Sequence, residues 1–305
     1  MNAFVFPGQG SQYSGMGKEL AENFAVARQT FQEASDALGM DVARLCFAGT
    51  EDELKLTANT QPAIVTTSVA ALRVLQAESG VTADFAAGHS LGEYAALVCA
   101  GSLAFADAVQ TVRQRGLFMQ DAVPVGVGTM AAIMGLERED LDAVCRVAAQ
   151  GQVCAPANYN SPGQIVIAGH IEAIDRACIL AKEKGAKRAL PLPVSAPFHC
   201  SLMSPAGDRL RQVLDQLTVH PFSLPVVTNV EALPNTNSSR VCALLVRQVS
   251  APVLWDASVA WMAGQGVTRF IEIGPGKVLG GLIKRIAKGS ETQNIEDIAS
   301  LQALG

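Results

Sequence analysis

The chain has 305 residues, of which 49% are hydrophobic, 17% charged and 5% aromatic. This apolar content is typical of a packed globular protein and excludes a disordered or fibrous chain. The length suffices for one large domain that carries a smaller one. A formal net charge of −5 argues against broad nucleic-acid binding, which needs a basic surface.

The N-terminus and the cysteines favour a cytoplasmic protein. Residues Met1 to Phe6 lack the basic region of a signal peptide and are typical of a first strand. The longest apolar run, residues 123–136, is interrupted by a proline and by glycines, so no membrane span is expected. Seven cysteines without a C-x-x-C pair indicate reduced thiols rather than disulfides or a zinc site.

The first 122 residues alternate between predicted strands and helices. A strand over residues 4–6 leads into Pro7-Gly8-Gln9-Gly10, and a helical stretch follows over residues 16–38. A second helix is predicted over residues 63–78, with Pro62 in its first turn, and a third over residues 104–121. This alternation predicts a larger, hydrolase-like α/β domain with a central, mostly parallel sheet.

Gly88-His89-Ser90-Leu91-Gly92 fits G-x-S-x-G, the nucleophile elbow that holds a serine on a sharp turn between a strand and a helix. The helix after such a turn directs backbone N–H groups and its positive dipole end at the serine. A chance match is the alternative, since the chain has 27 glycines. An apolar run before the motif and a helical pattern after it favour the catalytic interpretation.

The segment from residue 125 to residue 195 has a different pattern, which we interpret as an inserted ferredoxin-like βαββαβ subdomain. The predicted elements, alternating in that order, cover residues 129–134, 137–149, 153–158, 164–168, 171–184 and 189–194. Residues 1–124 and 196–305 would form the larger domain, which resumes with a helix over residues 203–217. Its predicted strands lie at residues 226–228 and 270–273, and a final helix follows. The cleft between the two domains is the expected ligand site.

A serine nucleophile needs a base, and of the four histidines His199 is the best candidate. His89 is expected to be structural because it lies in the tight turn, while His170 opens a small-domain helix and His220 lies in a loop. His199 directly follows the insert, at the predicted cleft, although an ordinary half-buried loop histidine is the alternative. The acids between Ser90 and His199 fall mostly in helices, so we expect a different acceptor, such as a backbone carbonyl, to hold the imidazole.

Arg115 lies at the flank of an apolar stripe on the predicted helix 104–121. An arginine so close to a buried face usually needs an anion. It could be paired internally, or its aliphatic stem could be buried with the charged end in water. It could equally be a bidentate clamp for a substrate carboxylate.

Together these residues resemble the malonyl-CoA:acyl-carrier-protein transacylase family of bacterial fatty-acid synthesis, and also the acyltransferase domains of polyketide synthases. The resemblance covers nearly the whole chain, and its eight motifs occur in the family's order. The motifs are Phe6-Pro7-Gly8-Gln9-Gly10-Ser11-Gln12, Thr60-Gln61-Pro62-Ala63, Gly88-His89-Ser90-Leu91-Gly92-Glu93, Gln114-Arg115-Gly116, Ala157-Asn158-Tyr159-Asn160, Pro197-Phe198-His199, Gln248-Val249-Ser250-Ala251-Pro252-Val253 and Glu272-Ile273-Gly274-Pro275-Gly276.

The resemblance implies a catalytic set. Ser90 would be the nucleophile and His199 its general base and later its general acid. The imidazole would lean on a backbone carbonyl near Gln248. The backbone N–H groups of Gln9 and Leu91 would form the oxyanion hole.

The resemblance also implies how the acyl group is bound. Arg115 would bind the free carboxylate of a malonyl group, and Gln61 and Asn158 would lie near the acyl chain or the thioester-bearing arm. Phe198 would narrow the pocket beside the substrate's α-carbon and so favour malonyl over methylmalonyl.

The function so implied is transfer of malonyl from malonyl-CoA to the phosphopantetheine thiol of acyl carrier protein, through a Ser90 ester and with ping-pong kinetics. No metal or redox cofactor is needed, and a monomer is the default expectation. A basic docking patch for the acidic carrier is predicted at Lys187, Arg188, Lys284 and Arg285, with ordinary solvated charges as the alternative.

Two other function classes stay open from the residues alone. A serine esterase or thioesterase would use the same elbow, and a non-catalytic acyl-binding domain would share the fold.

The pathway also stays open, because acyltransferases of polyketide synthesis and of malonate decarboxylation would share the same site residues. The short length and the lack of linker segments favour fatty-acid synthesis.

Overall fold

The computed structural model describes residues 1–194 and 196–304. The predicted domain boundary at Ser195 and the chain end at Gly305 lie outside the described residues. The strands are β1 (Asn2–Phe6), β2 (Phe85–Gly88), β3 (Gly128–Met134), β4 (Cys154–Ser161), β5 (Gln164–His170), β6 (Arg188–Pro191), β7 (Val226–Val227), β8 (Pro234–Asn235), β9 (Arg269–Ile273) and β10 (Glu291–Ile295). The α-helices are α1 (Lys18–Asn23), α2 (Ala25–Leu38), α3 (Val42–Ala48), α4 (Glu51–Lys55), α5 (Thr57–Glu78), α6 (Gly92–Cys99), α7 (Phe105–Asp121), α8 (Arg138–Ala149), α9 (Ile171–Glu183), α10 (Ser204–Leu214), α11 (Val241–Ser250), α12 (Trp255–Gly264), α13 (Val278–Ile286) and α14 (Ile298–Gln302).

The larger sheet has the strand order β10-β9-β1-β2-β7-β8. Its pairs are parallel except for β7 with β8 at one edge. Ala3, Val5 and Phe270 are fully buried on its central strands, as expected for a parallel sheet that is covered on both faces. The predicted α/β class with a mostly parallel central sheet is confirmed.

The smaller sheet is antiparallel, has the order β4-β5-β3-β6 and is built from residues 128–191. Helices α8 and α9 lie between its strands in the chain, so the element order is the predicted βαββαβ order. This sheet is tied directly to the larger domain: Val253 N–H donates to the carbonyl of Ala157, and Tyr159 N–H donates to the carbonyl of Val253, both at 2.9 Å. Strand β4 is thereby fixed beside the end of α11.

The prediction that Pro62 opens a helix was wrong. Helix α5 starts at Thr57, and Pro62 lies inside it. A proline there has no N–H to donate to the carbonyl four residues earlier, which is that of Ala58. Arg113 on the neighbouring helix α7 satisfies that carbonyl, with Nη1 at 3.2 Å. A tertiary hydrogen bond therefore compensates for the one that the proline removes.

Other predicted elements differ in extent. The stretch 16–38 forms two helices, because Phe24 between them is extended. The last small-domain strand ends at Pro191 rather than at residue 194, and the strand at 226–228 has two residues. The sequence analysis did not predict helices α3, α4, α11, α12 and α14 or the two edge strands β8 and β10. Among the helices of the described residues, none is both long and apolar enough to cross a lipid bilayer.

Candidate active site

The sharp turn at Ser90 depends on two glycines that allow direct backbone contact. Strand β2 ends at Gly88 and helix α6 begins at Gly92. A Cβ atom on Gly88 would overlap the backbone of Gly92, and a Cβ on Gly92 would overlap the carbonyl of Phe6 in β1. Ser90 itself has a φ of 49°, in the left-handed region that non-glycine residues rarely adopt. The turn is the strained strand–serine–helix geometry of a nucleophile elbow.

The side chains of Ser90 and His199 are in direct contact, with 2.7 Å between Oγ and Nε2. His199 Nδ1 lies 2.9 Å from the carbonyl oxygen of Gln248. Because a carbonyl can only accept, Nδ1 carries the proton and Nε2 is left to accept from the serine hydroxyl. The backbone carbonyl thus fills the orienting position that an acid occupies in a Ser-His-Asp triad.

The His199 imidazole is buried, and this decides its charge. Burial, and secondly the positive charge of Arg115, lower the pKa of His199 to about 3. The ring is therefore neutral at pH 7 and available as a base. Ser90 and His199 are two of the four non-glycine residues with positive φ in the described part of the chain, in keeping with backbone strain at functional sites.

Two backbone N–H groups are available beside Ser90. Gln9, in the loop after β1, and Leu91, at the start of α6, both line the cavity that contains the Ser90 side chain. Within residues 1–194 and 196–304, neither N–H donates to a protein acceptor. The N-terminal end of α6 adds a positive dipole at the same place. The arrangement can stabilise a negative oxygen next to Oγ.

The Arg115 guanidinium is in contact with Oγ, and the residue is only 1% exposed. Its Nη1 donates to Gln61 Oε1 at 3.0 Å. Its Nη2 donates to Gln248 Oε1 at 3.0 Å and to Ser90 Oγ at 3.2 Å. Nε has no partner, and no carboxylate of the described residues lies within ion-pair distance of this guanidinium. Burial lowers the pKa of Arg115, but an arginine stays protonated in proteins.

The cavity beside Ser90 measures about 300 Å³ and is lined by both domains. It brings together the predicted residues Gln61, Asn158 and Phe198. The sequence analysis did not assign several other wall residues to the site. These are Met119, Met130, Ala132, Asn160, Gln164, Val166, Leu192 and Val194. Most are apolar, and their pattern in the sequence could not be told from ordinary core positions.

Two residues next to the site link parts of the cleft. Gln61 Nε2 lies 3.8 Å from the sulfur of Met119, which leaves Gln61 Oε1 directed at Arg115. His89 Nε2 lies 2.8 Å from Asn160 Oδ1, so the elbow is joined to strand β4 of the smaller sheet. Burial lowers the pKa of His89, which keeps this ring neutral as well.

All four residues of the predicted basic patch are exposed, and contacts place two of them, Lys187 and Arg285, beside the turn between β4 and β5. Arg285 on α13 donates to Gln164 Oε1 at 2.7 Å, and Gln164 lines the cavity. On the other side of the turn, Gly135 N–H donates to the carbonyl of Gly163, and the stem of Lys187 covers Gly135. In the described residues, no group of three or more His, Cys, Asp or Glu side chains is arranged to hold a metal ion.

The chain resembles known proteins over its whole length. The acyl transferase domain family matches residues 3–304. The malonyl CoA-acyl carrier protein transacylase of Escherichia coli (strain K12) is 54% identical over 284 residues, which are 93% of this chain and 92% of that protein. The protein of the same name from Bacillus subtilis is 49% identical and covers 98% of this chain and 95% of its own length.

Solved structures show the same similarity. The acyl carrier protein S-malonyltransferase of Vibrio cholerae superposes with a TM-score of 0.98 at 50% identity, covering 100% of this chain and 99% of its own. A malonyl-transacylase solved in complex with its type II PKS acyl-carrier protein superposes with a TM-score of 0.97 at 49% identity, over 99% of this chain and 98% of its own.

Proposed function

The chain belongs to the acyl transferase domain family, and on that basis we propose that it transfers malonyl from malonyl-CoA to acyl carrier protein through an ester on Ser90. The observation that carries the proposal is the buried guanidinium of Arg115, which lies 3.2 Å from Ser90 Oγ and has no carboxylate partner among residues 1–194 and 196–304. A buried cation of this kind needs an anion, and the free carboxylate of a malonyl thioester supplies one next to the reacting carbonyl.

In the first half-reaction His199 Nε2 takes the proton of the Ser90 hydroxyl while Oγ attacks the thioester carbon. The negative charge that develops on the carbonyl oxygen is held by the N–H groups of Gln9 and Leu91, each contributing about 3 kcal/mol. The C–S bond then breaks, and the CoA thiolate takes the proton from His199. The malonyl group is left as an ester on Ser90.

The second half-reaction reverses these steps with a different thiol. The phosphopantetheine thiol of the carrier loses its proton to His199, and the thiolate attacks the Ser90 ester. The same two N–H groups hold the oxyanion, and Oγ regains the proton as it leaves. One neutral imidazole thus serves as base and acid in both directions, which predicts ping-pong kinetics.

The surroundings of Arg115 support selection for a carboxylate. Gln61 and Gln248 accept from its two terminal nitrogens, so the guanidinium is oriented before the substrate binds. A fixed planar donor pair matches a carboxylate, whereas an acetyl group would leave these donors without an anion. Phe198 lines the same cavity and would limit the space beside the α-carbon.

The carrier protein would dock at the predicted basic residues, two of which, Lys187 and Arg285, lie beside the β4–β5 turn. All four residues, Lys187, Arg188, Lys284 and Arg285, are exposed, and their positive charge would attract an acidic partner. The seven cysteines are all free thiols, which supports a reducing compartment such as the cytoplasm.

The test is to incubate the protein with malonyl-CoA, with and without the phosphopantetheine form of acyl carrier protein. Intact-mass spectrometry is expected to show one malonyl adduct on the wild-type protein and none on Ser90→Ala. Added carrier should remove the adduct and become malonylated. Rapid release of free malonate whether or not carrier is present would instead identify a thioesterase.

A further inference from the structure

The backbone of the nucleophile elbow is held by a buried side chain from outside the elbow. Asn229, two residues after β7, is 0% exposed. Its Oδ1 accepts from the N–H of Ser90 at 2.6 Å, and its Nδ2 donates to the carbonyl of Gly88 at 2.7 Å. One side-chain amide therefore connects the two residues on either side of the bend.

The position of Asn229 in the chain explains why its side chain can bond both residues of the elbow. Strand β7 pairs with β2 only as far as Ala87 with Val227. Beyond this pair the chain bends at Ser90, so β7 offers the elbow no further backbone partner, whereas on the other side the N–H of His89 donates to the carbonyl of Phe6 in β1 at 3.0 Å. The amide of Asn229 supplies a donor and an acceptor in the place of a further strand residue.

The elbow needs such a restraint. A left-handed backbone at a non-glycine residue costs about 1–2 kcal/mol, and Ser90 has a φ of 49°. A conformation of this kind persists only where the surroundings impose it. Because the Cα–Cβ bond of Ser90 follows its backbone, the same restraint fixes the position of Cβ, from which Oγ reaches His199.

The buried carboxylate of Glu93 accepts hydrogen bonds from both residues that restrain the Ser90 backbone, Asn229 and Gln248. Glu93 Oε2 accepts from the N–H of Asn229 at 3.1 Å and from Nε2 of Gln248 at 2.8 Å. Gln248 Nε2 also donates to the carbonyl of Ser90 at 2.9 Å. The N–H and the C=O of Ser90 are thus bound by two amides that share one carboxylate oxygen.

We propose that Asn229 is a positioning residue for the nucleophile: its two hydrogen bonds across the elbow set the direction of Ser90 Oγ. It is not among the residues that line the cavity, so it acts through Ser90 and not through the substrate. The inference rests on the proposed role of Ser90.

The test measures the reactivity of Ser90 with phenylmethanesulfonyl fluoride, a neutral reagent that has no carboxylate for Arg115. Asn229→Leu removes both hydrogen bonds and keeps the volume filled, and Asn229→Ala is the second variant, used as well in case the first does not fold. Asn229→Asp keeps an oxygen toward the Ser90 N–H. Asn235→Ala is the matched control, because Asn235 is also buried but its side chain bonds only within a local turn at Asn237.

Since a misplacement of about 1 Å can cost on the order of 10²-fold in rate, we expect a loss of that order in the second-order rate of Ser90 sulfonylation in the leucine or alanine variant. The kcat for malonyl transfer should fall in parallel while KM for malonyl-CoA stays unchanged. Asn229→Asp should recover part of both rates, and Asn235→Ala should react like the wild type.

Wild-type sulfonylation rates in a folded Asn229→Leu or Asn229→Ala variant, even with a lowered melting temperature, would make Asn229 purely structural and overturn the inference. A wild-type protein whose Ser90 neither reacts with the reagent nor carries malonyl would instead overturn the nucleophile, and this inference with it. The two failures are therefore distinguishable.

Discussion

Replacing Arg115 by alanine should change which acyl donor the enzyme prefers. In the structure Arg115 is buried at the wall of the cavity, and no carboxylate in the part of the chain that the structure describes lies within ion-pair distance of its guanidinium. If the malonyl carboxylate is that partner, Arg115→Ala leaves this carboxylate buried and unpaired. An acetyl group carries no such charge and should be much less affected.

The size of the effect follows from the burial. Removing one partner of a buried ion pair costs about 3–5 kcal/mol, and every ~1.4 kcal/mol changes a rate tenfold. We therefore expect kcat/KM for malonyl-CoA to fall by roughly 10²–10⁴-fold. Arg115→Lys should recover only part of this loss, because an ammonium group lacks the planar donor pair.

The assay compares kcat/KM for malonyl-CoA and acetyl-CoA in Arg115→Ala, Arg115→Lys and the wild type. Arg113→Ala is the matched control: Arg113 lies on the same helix but bonds Ala58 and Asn59, away from Ser90. It should lower stability without changing the preference. Equal losses for malonyl-CoA and acetyl-CoA in a folded Arg115→Ala variant would refute carboxylate binding by Arg115.

Three further predictions concern the base, the elbow and the docking surface. Burial and Arg115 lower the pKa of His199 in the free protein to about 3, so its neutral form persists there well below pH 6.5. The second-order rate constant for Ser90 acylation at limiting malonyl-CoA reports the free protein, and titration of His199 should not reduce it between pH 5 and 7. An inflection of this rate constant near pH 6.5 that His199→Ala removes would contradict the prediction. Gly92→Ala places a Cβ against the carbonyl of Phe6 and should lower the free energy of unfolding in urea by about 1–3 kcal/mol. The control is Gly281→Ala, which places a Cβ in open space on α13 and should not destabilise the fold. Equal effects of the two substitutions would contradict the close approach of Gly92 to β1. Arg285→Glu should raise KM for the carrier protein, with a larger increase at low salt, and should leave KM for malonyl-CoA unchanged. An unchanged KM for the carrier protein would show that Arg285 is not part of the docking surface.

The buried imidazole of His199 should also make the free energy of unfolding depend on pH. The unfolded chain binds a proton at His199 below pH 6.5 and the folded chain does not, so the free energy of unfolding should fall as the pH drops from 6.5 toward 3. One such group contributes at most about 1.4 kcal/mol per pH unit. Comparing urea unfolding of the wild type and His199→Phe over this range isolates the contribution; identical slopes would contradict a buried, neutral His199.

The sequence predicted those features of the site that depend on residues close together in the chain. The motif around Ser90 predicts its own turn, because only glycine tolerates the backbone contacts at positions 88 and 92. The alternating elements predicted both sheets, since periodicity reports which side of each element is buried. The lack of a suitable acid between Ser90 and His199 predicted a backbone acceptor for the imidazole, and the carbonyl oxygen of Gln248 lies 2.9 Å from His199 Nδ1.

The parts that were missed depend on contacts between distant residues. Helix α5 continues through Pro62 because Arg113, 55 positions from Ala58, bonds the freed carbonyl. Asn229 lies 139 residues from Ser90, and nothing in its own neighbourhood distinguishes it from a turn asparagine. The side chain of Gln248 was missed for the same reason, although its backbone carbonyl was expected near the base.

The charges of the site suggest why its base and its anion site lie so close together. In the free protein, the positive Arg115 is one of the two main causes that keep the pKa of His199 low. A carboxylate bound to Arg115 would cancel that charge and raise the pKa of His199 toward its ordinary value, which strengthens the imidazole as a base. The nearest buried acid, Glu93, compensates Arg115 only weakly, because burial raises its pKa to about 7 and its carboxylate is engaged by Asn229 and Gln248. A dicarboxylic acyl donor would therefore activate its own general base on binding, whereas an acetyl donor, or water in the empty site, would meet a weaker one.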